Sequence, residues 1–158
     1  MKGQLFVCCL LVVALFSRPG EALCLCPTCP NGWRLMDGYC YRVFPQDKQW
    51  SKADEFCNKF NRSRSSSLVS IHSEKENKFV GNLAGKRRSW IGLHDRYSEA
   101  KFMYTDGSPF NYDAFLPGEP NNANGEDCVE IKWRKWNDLK CNLPRPFICK
   151  MWPSYEEK

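Results

Sequence analysis

Between Gly118 and Asp138 the chain concentrates side chains that end in oxygen. The run Gly118-Glu119-Pro120-Asn121-Asn122-Ala123-Asn124-Gly125-Glu126-Asp127-Cys128 is followed by Trp136-Asn137-Asp138. Glu119, Asn121, Glu126, Asn137 and Asp138 offer carboxylate and amide oxygens, the hard donors that Ca²⁺ takes in a flexible shell, whereas Mg²⁺ keeps several waters and few carboxylates. The spacing is not that of an EF-hand loop. A metal held here needs a loop and a later strand to converge through the fold. On composition alone, a solvated acidic loop is the commoner explanation. His72 and His94 have no nucleophile and carboxylate arranged around them, and no motif for a Ser or Cys nucleophile appears, so the sequence does not read as an enzyme.

A chain of 158 residues has room for one domain with a real core. The formal charge of +5 is dispersed along the chain and forms no basic stripe, which argues against nucleic acid as a partner. An aromatic content of 14%, with 6 Trp, excludes disorder. Pro30-Asn31-Gly32 and Asp37-Gly38 punctuate short apolar runs and predict a hairpin over 29–41. Ser51 with Asp54 resembles a capping box, and Trp50, Ala53, Cys57 and Phe60 recur at helical spacing, predicting a helix over about 50–60. Leu68, Val69 and Ile71 predict a short strand. A second box at Ser73 and Glu76 opens a helix that buries Phe79, Val80 and Leu83 and stops at Gly85. Beyond Arg88, strands are predicted over 89–93, 102–105, 128–133 and 147–150. A long irregular loop over 107–127 contains most of the oxygen donors, and loops of that length inside a domain are usually functional. Helices first and an antiparallel sheet after them make the fold class α+β. Trp33, Trp50, Trp90 and Trp136 are expected in the core, and Trp133 exposed near the oxygen cluster.

The first segment reads as targeting. Lys2, the apolar run Leu5 to Phe16 and the small residues Gly20 and Ala22 describe a signal peptide cleaved after Ala22, too short an apolar run to span a bilayer. The mature chain is expected to be secreted, with no membrane insertion. Of the 10 Cys, removal of residues 1–22 takes Cys8 and Cys9 and leaves Cys24, Cys26, Cys29, Cys40, Cys57, Cys128, Cys141 and Cys149. In an oxidising compartment these read as a disulfide framework rather than a zinc site, and spacing alone cannot choose among about 105 pairings.

Taken together, these residues resemble the C-type lectin domain, a calcium-dependent carbohydrate-recognition module. The resemblance is carried by Cys-Pro-Asn-Gly-Trp at 29–33, the helix around Trp50 to Cys57, Trp-Ile-Gly-Leu at 90–93, Glu-Pro-Asn at 119–121, Trp-Asn-Asp at 136–138 and Phe-Ile-Cys at 147–149. As an ordered set it is specific, and it covers nearly the whole mature chain. It implies a C-type lectin domain over 29–150, preceded by an extension over 23–28 and followed by a tail over 151–158. Its implied disulfides are Cys29–Cys40, Cys57–Cys149 and Cys128–Cys141.

The resemblance further implies that Glu119, Asn121, Glu126, Asn137 and Asp138 bind both Ca²⁺ and sugar, with a cis Glu119-Pro120 bond. The order Glu-Pro-Asn implies glycans with equatorial 3- and 4-hydroxyls, the mannose, GlcNAc and fucose type, where galactose-binding relatives usually carry Gln-Pro-Asp. An auxiliary calcium site is implied at Asp95, Glu99, Asn122, Glu126 and Asp127. Cys24 and Cys26 precede the domain, and a bridge between residues two apart is strained, so intermolecular pairing into a disulfide-linked homo-oligomer is expected. Asn61-Arg62-Ser63 is a glycosylation sequon. Arg134, Lys135 and Lys140 flank the Trp-Asn-Asp run, where they either favour acidic glycans or simply solvate a face. The expected activity is secreted glycan crosslinking in agglutination or innate defence. The competing expectation is a protein- or mineral-binding module on the same fold.

Overall fold

A computed structural model describes residues 10–12, 23–60 and 66–157. In chain order the elements are β1 (Leu10–Val12), β2 (Leu23–Thr28), β3 (Arg34–Met36), β4 (Tyr39–Lys48), α1 (Trp50–Cys57), β5 (Ser66–Leu68), α2 (Glu74–Ala84), β6 (Ser89–His94), β7 (Met103–Tyr104), β8 (Cys128–Lys132), β9 (Lys135–Leu139), β10 (Arg145–Met151) and β11 (Ser154–Glu157). The α+β class holds, with a refinement in the sheet. The 8-stranded sheet runs β3-β4-β10-β6-β8-β9, with β5 added to β10 and β7 to β6. It is mixed rather than purely antiparallel, because β6 and β10 meet in parallel at Trp90 and Phe147. Both strands are almost wholly buried, the condition under which parallel pairing is usual.

The helices start for different reasons. At α2 the Ser73 hydroxyl accepts from the Glu76 backbone N–H (3.1 Å), as the capping box predicts, and Gly85 ends the helix at φ 62. The Glu76 carboxylate does not return to the cap. Instead it accepts from the His72 N–H (2.8 Å), Tyr41 Oη (2.7 Å) and Lys150 Nζ (2.7 Å). At α1 the predicted box at Ser51 and Asp54 is not formed. The N-cap is Gln49, without a side-chain bond, and the Trp50 N–H donates to the Cys141 carbonyl (3.0 Å). Burying the Trp50 ring starts the helix before Ser51, and Asp54 is then used to accept from the Leu68 N–H (3.0 Å).

Two apolar clusters fill the interior. Trp33, Trp50, Trp90 and Phe147 centre one, and Ile91, Leu93, Ile131 and Trp136 the other. The buried indoles satisfy their N–H groups: Trp50 on the Ile91 carbonyl, Trp90 on the Lys48 carbonyl, Trp136 on Asn77 Oδ1. The three implied bridges, Cys29–Cys40, Cys57–Cys149 and Cys128–Cys141, are all formed. Cys57–Cys149 closes a loop of 92 residues between α1 and β10, worth roughly 4–5 kcal/mol in the chain-entropy account.

The expected extension and tail each contribute a strand. β10 runs on to Met151, and β11 pairs antiparallel with β2, Ser154 opposite Thr28. Leu10–Val12, inside the segment read as a signal peptide, adds to the other edge of β2. Cys26 takes part in a disulfide whose partner lies outside the described residues, as does the side chain of Cys24. The sequon asparagine Asn61 lies outside them as well.

Candidate functional site

The oxygen-rich loop is held against β9 by backbone bonds. Leu116 N–H donates to the Trp136 carbonyl (2.9 Å), and Trp136 N–H to the Ala114 carbonyl (3.0 Å). These bonds bring Glu119 beside the strand that carries Asn137 and Asp138. The Glu119-Pro120 peptide is cis, as expected. Beyond it the chain turns tightly, with Asn122 (φ 48), Asn124 (φ 60) and Gly125 (φ 81) in the left-handed region, which asparagine and glycine enter at least cost.

Asp138 is the fixed point. Its carboxylate is fully buried and accepts from the N–H groups of Asn121 (3.2 Å) and Asn122 (2.7 Å), so loop and strand are joined through one side chain. The Ala123 N–H donates to both Asn121 Oδ1 (2.8 Å) and Glu126 Oε2 (3.2 Å), which places those two oxygens side by side. Asn137 Nδ2 donates to the Asp138 carbonyl (2.9 Å).

The electrostatics are those of crowded negative charge. Burial raises the Glu119 carboxyl above its ordinary range, and a hydrogen bond to Asp138 and the charges of Asp138 and Glu126 raise it further. Glu126 is raised by burial and by Asp138, against a lowering contribution from Lys140. Glu119 Oε2 is buried without a hydrogen-bond partner. A buried, partnerless carboxylate oxygen among like charges is uncompensated unless a proton or a cation joins it.

The residues of the implied auxiliary site also meet. Asp95 is buried, its Oδ2 accepting from the Ala100 N–H (2.9 Å) and its Oδ1 without a partner. Its N–H donates to the Asp127 carbonyl (3.1 Å). Burial raises the Asp95 carboxyl, and Asp127 and Asp138 add to the effect; Glu99 is raised by desolvation and then by Asp95 and Asp127. Asn122 links the two clusters: its Nδ2 donates to Glu99 Oε2, and its Oδ1 accepts from the Glu126 N–H (2.7 Å). Among the described residues no three His, Cys, Asp or Glu side chains converge as a metal-holding group by themselves. The oxygen set depends on amides as well as carboxylates.

Three expected neighbours lie elsewhere or act differently. Trp133 is exposed (57%) and occupies the β8–β9 turn, with about 10 Å of strand between Lys135 and Asp138. Arg134 Nη2 donates to Asn82 Oδ1 (3.0 Å) on α2 rather than serving the loop. Of the flanking cations, Lys140 is the one whose charge reaches Glu126. Sequence reading missed the buried Glu130, which accepts from Arg88 and Arg145 (2.8 Å each). An isolated glutamate in a strand pattern gives no sign that two arginines from distant segments will reach it.

Residues 46–151 match the family described as Lectin C-type domain. A curated relative, the C-type lectin lectoxin-Lio2 of Erythrolamprus poecilogyrus, is 38% identical, the match covering 99% of this chain and 98% of that one. The cow C-type carbohydrate-recognition domain of CD23, solved in the presence of a GlcNAc2Man3 oligosaccharide, superposes with a TM-score of 0.76 at 36% identity, covering 82% of this chain and 99% of that one. The herring type II antifreeze protein superposes with a TM-score of 0.71 at 28% identity, covering 77% and 97%.

Proposed function

The chain belongs to the C-type lectin domain family, and from that premise we propose that it is a secreted lectin that binds mannose-type glycans through calcium held at Glu119, Asn121, Glu126, Asn137 and Asp138. The observation that supports this reading is the crowding of Glu119 and Glu126 against buried Asp138, with Glu119 Oε2 left without a partner. A divalent cation supplies the missing positive charge and open coordination positions for sugar oxygens. The residues then divide the work of recognition. Carboxylates such as Glu119 only accept, so they take the hydroxyl protons of the sugar, while the amides of Asn121 and Asn137 can donate to the hydroxyl oxygens. That order suits a vicinal pair of equatorial hydroxyls and gives selectivity for mannose, GlcNAc and fucose over galactose. Asp95, Glu99, Asn122, Glu126 and Asp127 form the auxiliary calcium cluster of the same proposal. Asn122 is already engaged on both sides, so its contribution there is to tie the two clusters together.

One sugar site of this kind binds at about millimolar Kd, or roughly −4 kcal/mol. Multivalence through an oligomer raises avidity on a glycan surface and gives agglutination its physical basis. The fold similarity to an antifreeze protein supports the competing reading, a module that does not use sugar. Retention on a mannan resin in calcium with release by EDTA is the expected result. Flow-through in calcium would assign the chain to the second reading.

A further inference from the structure

A cavity of about 500 Å³ opens between the β3–β4 turn, the segment leading into α2 and the end of β10, and none of its lining residues belongs to the calcium cluster. Its size is that of a small-molecule site. The floor is a closed ion pair. Buried Lys150 donates through Nζ to Glu76 Oε1 (2.7 Å), the Ser70 carbonyl (3.1 Å) and Ser70 Oγ (3.2 Å). With Tyr41 and the His72 N–H completing Glu76, the floor holds no unpaired charge that calls for an ionic ligand.

The two walls differ. One is aromatic: Tyr39 and Trp152 lie 4.4 Å apart, tilted at 43°, with Trp152 40% exposed. The other is a rack of acceptors and hydroxyls. Ser70 Oγ and the Ser108 N–H and Oγ all donate to the Asp106 carboxylate, fixing its direction while leaving lone pairs over. The remaining charge is acidic, from Asp106 and from Asp37 at the rim, which disfavours anions. Lys75 already pairs with Asp37 (2.7 Å), and the Asp106 carboxylate is held by three donors from Ser70 and Ser108, which leaves it as a hydrogen-bond acceptor at the site. The Tyr39 phenol is raised by burial and by Glu76 and Asp106, so it stays protonated as a donor.

An apolar ring face opposite a fixed hydroxyl and carboxylate edge matches a ligand with one C–H face and one hydroxyl edge. The geometry points to a metal-independent site for a neutral pyranoside, stacked on the exposed Trp152, whose ring Tyr39 backs while Lys150 covers the Tyr39 face (4.3 Å), with its hydroxyls on Asp106, Ser108 and Ser70. The inference goes beyond the calcium reading and does not depend on it. A single chain then holds two saccharides and can bridge glycans without oligomerising.

The test is an amide and indole NMR titration of the secreted chain in EDTA, where calcium-dependent binding is absent. Methyl β-D-glucopyranoside is the probe and tetramethylammonium chloride the cationic comparison. The expected result is a saturable, millimolar shift of the Trp152 indole and Ser108 amide with the glucoside, unchanged by added calcium or by Glu119→Gln. Trp152→Ala should weaken it roughly tenfold, and Ser108→Ala, which keeps the aromatic wall, should weaken it severalfold. Neither variant should alter calcium-dependent mannan retention. Absence of a saturable glucoside shift, an equal response to tetramethylammonium, or full affinity in both variants would overturn the inference. Mannan retention reports separately on the calcium site.

Discussion

Glu119 and Glu126 sit above the ordinary glutamate value of 4.5 because burial and the charge of Asp138 both oppose ionisation. A carboxyl raised on folding stabilises the metal-free fold below its unfolded value, and that contribution is lost as pH rises through the folded value. In EDTA, Glu119→Gln should therefore melt with the parent protein below about pH 4.5 and above it at neutral pH. The increment in melting temperature on adding calcium should grow over the same range, since protons and metal compete for these oxygens. Scanning fluorimetry at stepped pH reads both. If the parent stays the more stable at neutral pH in EDTA, the crowding account is wrong. The proposed selectivity is tested at the same residues: Glu119→Gln with Asn121→Asp reverses acceptor and donor and should move elution preference from mannose to galactose, checked by sugar competition on resin. The oxygen donors were legible in the sequence because chemical type is a property of the residue. The bond from Asn122 to Glu99 was not, because it exists only once the chain turns left-handed at Asn122 and Asn124.

Elements carry those donors, and their seating is tested at Gly81. A Cβ there would meet Arg134 Cγ at 2.5 Å and the Arg134 backbone N at 3.1 Å, so the β8–β9 hairpin rests directly on α2. Gly81→Ala gains helix propensity of about 1 kcal/mol, but overpacking against backbone costs about 1–3 kcal/mol. The expected net effect is a lower melting temperature together with weaker mannan retention, since β9 carries Asn137 and Asp138. Unchanged values would mean the hairpin shifts freely. Periodicity revealed α2 and the strands around Ile91, Val129 and Ile148, whose apolar residues face one interior. It failed at the start of α1, where a carbonyl from Cys141 replaces the expected cap, and at β11, whose Ser-Tyr-Glu-Glu run has no apolar alternation and is a strand because β2 lies beside it. Partners distant in sequence decide both cases.

At the scale of the whole molecule the open variable is valency. Cys26 takes part in a disulfide whose partner lies outside the described residues, and the expected covalent dimer joins the Cys24–Cys26 segments of two chains. We expect the secreted protein to run on a non-reducing gel at twice its reduced mass. A monomer band in both lanes would leave multivalence to non-covalent contacts or to the proposed second saccharide cavity. The overall architecture was readable because three disulfides and the buried aromatic and aliphatic anchors are ordered along the chain in a specific way. The mixed sheet was not, since no local pattern reveals that β6 and β10 run the same way.

The Cys57–Cys149 bridge has a mechanical corollary. Tension applied between the two ends can unzip the β2–β11 ribbon, then passes from Cys57 to Cys149 through sulfur and bypasses the polypeptide between them. Residues 119–138 lie inside that short circuit, so a domain pulled taut by its two ends would keep the proposed calcium loop unloaded while its tails stretch.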